Sequence, residues 1–119
     1  MAAELQRRGV RPLVLERGSG PGARWRERYD RLRINTSSLT SFPPRGRFPL
    51  RYGRWPSRDQ LVEHYERYAR EHRIELRCGT EVRRVDREAG AWLVRTGGGE
   101  LRASAVVVAT GKDAVPRIP

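Results

Sequence analysis

The sequence predicts an α/β fold with a small β-rich insertion. Three observations predict it. A short helical stretch with the spacing Ala2-x-x-Leu5-x-x-x-Gly9 runs directly into an apolar strand ending at Glu16. A capped amphipathic helix over residues 58–72 is followed at once by another short strand. The run Ala105-Val106-Val107-Val108-Ala109 is continuously apolar, which suits a parallel strand covered on both faces.

The elements follow in order. Residues 2–8 form a helix that Gly9 stops, and Pro12 opens a strand over 12–16, where a missing N–H is tolerated. Residues 17–56 are irregular, punctuated by Gly18, Gly20, Pro21, Gly22, Pro43 and Pro44 and, further on, by Gly46, Pro49, Gly53 and Pro56. A loop of that length is functional or disordered. Disordered linkers are poor in large apolar residues, whereas this segment carries Trp25, Tyr29, Ile34, Phe42, Phe48, Tyr52 and Trp55, so it is expected to pack. Ser57 caps the helix over 58–72 and Gln60 completes a capping box. Leu61, Val62, Tyr65, Tyr68, Ala69 and His72 make its apolar face, and His64 is placed on the solvated side. Glu63–Arg67 and Glu66–Arg70 are spaced for pairing along the other face. Strands are expected at 74–78, 81–87, 91–96 and 100–109, with turns at Glu88-Ala-Gly90 and Gly97-Gly-Gly99.

With 119 residues the chain is about one small domain. No apolar run approaches the roughly 18 residues of a membrane span, and no secretory leader is legible, so no membrane partner is expected. Cys78 is the only cysteine, which rules out an internal disulfide and makes a cytoplasmic setting the default. The net charge of +11 is almost entirely arginine, Lys112 being the only lysine. Those arginines spread over every expected element, and no helix-turn-helix, zinc-ligand or RNA-platform motif accompanies them. A solvated surface is the plainer reading, with no nucleic-acid partner. The exception is the stretch Arg24, Arg26, Arg28, Arg31 and Arg33, basic enough to sit near phosphates. No metal-ligand cluster or Ser-His-Asp set is present in the pattern.

Two motifs carry chemistry. The opening spacing is that of the second half of a strand–loop–helix–strand dinucleotide-binding unit, whose G-x-G-x-x-G loop would fall upstream of residue 1. In such a unit the acid at the second strand's end, here Glu16, accepts hydrogen bonds from the adenosine ribose. A surface glutamate is the bland alternative, and the Ala2, Leu5 and Gly9 spacing weighs against it. Ala109-Thr110-Gly111 closes the valine run with small residues that let backbone approach a ligand, and Pro116-x-x-Pro119 follows it.

Taken in order, Glu16-Arg17, Gly22-Ala-Arg-Trp25, Arg28-Tyr-Asp-Arg-Leu-Arg-Ile-Asn-Thr-Ser37, Trp55-Pro-Ser-Arg-Asp-Gln-Leu61 and Val106-Val-Val-Ala-Thr-Gly111 resemble the flavin-dependent monooxygenases. The likeness is to the flavin-containing monooxygenases, their plant auxin-forming homologues and the Baeyer–Villiger enzymes. It spans the whole chain and implies an incomplete Rossmann-like FAD-binding domain over residues 1–119. The first strand and glycine loop would precede Met1, and the NADPH domain would follow Pro119. By the same resemblance Glu16 holds the FAD ribose with Arg17 beside it, the Gly22–Trp25 segment with Arg24 and Trp25 lies along the ribityl and pyrophosphate region, and Leu32 is a further cofactor-binding candidate. Val82 offers backbone to adenine, and Ala109, Thr110 and Gly111 form the bend between the FAD and NADPH domains. Asn35 matches an asparagine that in several relatives faces the reactive edge of the isoalloxazine, and is the one catalytic candidate. The implied reaction uses NADPH to reduce FAD, whose C4a-(hydro)peroxide passes one atom of molecular oxygen to a small organic substrate. This chain alone is expected to bind FAD poorly. Three other readings stay open. A disulfide-reductase-like flavoprotein would want a cysteine pair where only Cys78 stands, a basic nucleic-acid module would show salt-dependent DNA retention, and a non-functional gene remnant of the same ancestry would carry stop codons on both sides of the reading frame.

Overall fold

The computed structural model describes residues 1–111. Lys112, Pro116 and Pro119 lie outside the described residues. The chain divides into two compact units, Met1–Glu81 and a second beginning at Val82.

In the first unit, α1 (Ala2–Arg7) ends in a Gly9 with φ of 79°, a left-handed turn that returns the chain into β1 (Leu13–Leu15). β1 pairs in parallel with β2 (Glu75–Arg77), Val14 opposite Leu76. Two strands of three residues cannot support themselves in water; helix α3 (Arg58–Glu71) and the segment between the strands supply the core. α3 begins as its sequence dictates. The Ser57 hydroxyl accepts from the Gln60 N–H, and the Gln60 side chain accepts from the Ser57 N–H.

Residues 17–56 pack, as their aromatic content demanded. A short α2 (Ala23–Arg26) docks on α3, and a single 3-10 turn spans Leu50–Tyr52. Phe48, Tyr52 and Leu61 form the buried cluster, with Trp25, Ile34, Phe42 and Tyr65 packed around it. Residues 32–38 run antiparallel to 54–58: Ile34 N–H donates to Pro56 C=O, Arg58 N–H to Leu32 C=O and Ser38 N–H to Arg54 C=O.

The second unit is an antiparallel meander of β3 (Val82–Glu88), β4 (Ala91–Thr96) and β5 (Gly99–Ala103). Leu93 and Val94, on opposite faces of the central strand, are both buried. Arg95 crosses to Asp86 at 2.8 Å, Glu88 at 3.3 Å and Glu100 at 2.9 Å.

Three expectations need correction. The strand expected over 100–109 stops at Ala103, and Val107 and Val108 are exposed. A strand exists only where a neighbour shares its ladder, and among the described residues no strand pairs with 105–109. His64, placed on the solvated side, is 1% exposed. Its offsets from Leu61, Tyr65 and Tyr68 put it at the centre of the apolar stripe. The charges of α3 also pair differently. Glu63 meets Arg51 at 2.6 Å, Glu66 meets Arg26, and Arg67 meets Glu71 at 3.5 Å. Packing of the 17–56 segment brings arginines within reach that helical spacing could not foresee.

Candidate functional site

The best-built polar feature of the first unit is the end of β1. Glu16 N–H donates to Arg77 C=O at 3.0 Å, and Thr80 N–H donates to Glu16 C=O at 2.9 Å, so the parallel ladder holds the backbone on both sides. The chain then turns, and Gly18 N–H donates to Glu16 Oε1 at 2.6 Å. Gly18 N–H is thus bound to the carboxylate, while Gly18 C=O accepts from Gly79 N–H at 2.9 Å. Only glycine fits there: a Cβ would lie 2.3 Å from the Ala23 Cβ and 3.1 Å from Glu16 Oε1. One oxygen of a half-buried carboxylate is therefore tied down, and the other carries no hydrogen bond among the described residues. A fixed carboxylate with a spare oxygen, at the carboxyl end of a parallel strand, suits the paired hydroxyls of a ribose.

The next turn is shaped as strictly. Gly22 has φ of 76°, which starts α2, and its Cα is close enough to α3 that a Cβ would meet Val62 Cα at 3.4 Å. The strand end, α2 and α3 are so packed as one piece. Arg17 is exposed and 4.0 Å from Glu81 Oε1. Arg24 is exposed and pairs with Glu27 at 2.9 Å. Trp25 is a core aromatic, packed against the Phe48 cluster. Leu32 is half-buried, its carbonyl held by Arg58 N–H at 2.9 Å. Asn35 is exposed, one residue past the Ile34 that anchors this segment to the core.

In the second unit Val82 opens β3 and is 41% exposed, and Ala109, Thr110 and Gly111 are exposed, with Gly111 at φ of 77°. The first unit thus brings Glu16, Gly18 and the α2 segment together and steadies the backbone on either side of Asn35. Gly18 was missed in the reading of the sequence, though a glycine two residues past a strand-end acid signals a side chain folding back on its own backbone.

The whole chain, residues 1–119, matches the family model described as pyridine nucleotide-disulphide oxidoreductase. The chain belongs to this family. An indole-3-pyruvate monooxygenase of Oryza sativa subsp. japonica, YUCCA1, is 43% identical over 99% of this chain and 30% of its own length. An S-allyl-L-cysteine S-oxygenase from Allium sativum is 28% identical in structural alignment, with a TM-score of 0.78 over 92% of this chain and 33% of its own. A flavin-containing monooxygenase from Stenotrophomonas maltophilia shares the fold with a TM-score of 0.84 at 23% identity, over 92% of this chain and 34% of its own. The chain spans about 30% of the length of the curated relatives it matches. Its likeness to Rossmann-like monooxygenase domains agrees with the expected α/β class, and the monooxygenase resemblance drawn from the motifs is matched by these relatives.

Proposed function

We propose that residues 1–119 are part of the FAD-binding domain of an NADPH-using monooxygenase acting on a small organic substrate in a cytoplasmic setting. The Glu16–Gly18 turn carries the reading: its geometry suits a ribose, and it stands in a chain whose relatives are flavin monooxygenases. Glu16 would accept from the ribose hydroxyls of FAD, its free oxygen doing what the Gly18-bound one cannot. Arg17, Arg24, Trp25 and Leu32 would border the cofactor, Arg17 and Arg24 supplying positive charge near its phosphates. Val82 would present backbone to the adenine, and Ala109, Thr110 and Gly111 would bend towards the NADPH domain. Asn35, held by the antiparallel pairing around Ile34, would present its carboxamide to the reacting edge of the flavin. Bound flavin and nicotinamide supply the electron and oxygen-transfer chemistry. The protein's share is to orient the ring and exclude water.

FAD retention and oxygen-dependent NADPH oxidation, measured on the natural polypeptide carrying this sequence, test the reading. Indole-3-pyruvate is the first substrate to assay, given the rice relative. Glu16→Ala should weaken FAD binding about tenfold, the loss of one to two net hydrogen bonds. Unchanged FAD affinity in that variant would sink the assignment of Glu16, and absence of any flavin binding would sink the whole reading.

A further inference from the structure

Within the first unit two titratable side chains are buried and unused by the proposed chemistry, Tyr52 and His64, and His64 is the one whose charge changes in mildly acidic water. His64 sits on α3 at 1% exposure, its ring 4.3 Å from Phe48 and tilted 40° to it, with Tyr65 at 6.0 Å. Its Nδ1 lies 3.1 Å from Arg67 Nη2. A guanidinium only donates, so Nδ1 must be the acceptor and the ring neutral, with its proton on Nε2. Nε2 completes no hydrogen bond among the described residues.

A second proton would go to Nδ1. It would set two N–H donors and two positive charges against each other across 3.1 Å, with the imidazole buried and Arg67 only partly exposed. The ring could gain a cation–π contact with Phe48, but a facing pair of donors cannot persist alongside it. Burial first, and then Arg67, hold the imidazole below its ordinary value; the Gly46 backbone, Glu71 and Glu63 pull the other way and do not prevail. The charges on the facing 42–53 segment are all arginines, Arg45, Arg47 and Arg51; Arg51 pairs with Glu63 and Arg47 lies over the Phe42 ring.

Phe48 is the hinge of the consequence. It carries the 42–53 segment onto α3, and Ile34 packs against the same cluster, one residue from Asn35. We propose that His64 is an acid-sensitive latch: neutral, it holds the 42–53 segment and Ile34 on α3; protonated, it must leave Arg67 and release them.

The direction follows from linkage. The unfolded chain takes up this proton near about 6.5 and the folded chain lower, so the stability contributed is full above that pH and drains away as the pH falls below it. The latch rests on packing alone and not on the flavin reading, so the two fail separately. Nuclear magnetic resonance on the isotope-labelled, flavin-free 119-residue chain tests it. The expected result is an Nε2–H tautomer at neutral pH and a His64 midpoint below about 6.5. Phe48 and Ile34 signals should move in step with it. Amide exchange over 42–53, corrected for intrinsic rates, should rise about tenfold below that midpoint. His64→Phe should flatten this dependence. If that variant does not fold, Arg67→Met should raise the midpoint by removing the opposing charge. An Nδ1–H tautomer would overturn the proposal. So would titration that leaves Phe48 and Ile34 unmoved, or a midpoint unchanged in Arg67→Met.

Discussion

The two units solve the same problem in opposite ways. The meander of β3, β4 and β5 closes its ladder with strands adjacent in sequence, through turns at Ala89-Gly90 and Gly97-Gly98. The parallel pair β1–β2 joins strands far apart in the chain, and its core comes from the long segment and helix between them. The valine run after β5 shows what happens with neither solution. It is as apolar as β4, yet Val108 is 77% exposed where Val94 is 6%. Hydrophobicity and β-propensity make a strand available; a partner makes it real. Antiparallel neighbours bring partners along the chain, whereas parallel strands must wait for them from elsewhere.

The sharpest way to break this contrast is to place the same charge in both valine stretches. Val94→Asp should destabilise the second unit by about 3 kcal/mol or more, because a carboxylate would be buried without a partner. Val108→Asp should fall within about 0.5 kcal/mol of the parent. Urea unfolding followed by circular dichroism reads both, and equal costs would mean that the 105–109 run is packed after all. A smaller effect probes the long-range solution. Gly46→Ala would put a methyl 2.6 Å from Tyr68 Cδ2 and 2.9 Å from Pro43 Cγ, and should cost about 1–3 kcal/mol by overpacking the 42–53 segment against α3. No loss would show that this segment rests loosely on the helix. The least effect is local: Ser57→Ala removes the hydroxyl that caps α3 and should cost about 1 kcal/mol, visible as a lower urea midpoint.

What the sequence disclosed follows the same division. The capping box at Ser57 and Gln60, the stop at Gly9 and the meander turns depend on residues a few positions apart, and each stands where the pattern put it. The packing of 17–56 was legible as a fact, from its aromatics, but not as a geometry. Neither the reach of Arg51 to Glu63 nor that of Arg26 to Glu66 could be seen in helical spacing. His64 was misplaced because a polar name outweighed its position in the stripe, although burial of a neutral imidazole asks only for one good partner and a flat neighbour. At the candidate site, Glu16 was legible from its place at a strand end. The closure of its carboxylate by Gly18 was not, since that depends on α2 folding back to leave no room for a side chain.

Cys78 is exposed and is the chain's only thiol, and it directly follows the Arg77 whose carbonyl receives the Glu16 N–H. A maleimide dye would therefore attach at a single point, beside the strand end proposed to meet the nucleotide. Labelling needs no cysteine to be removed first, and the emission of that one dye could report occupancy of the neighbouring turn without any change to the residues that form it.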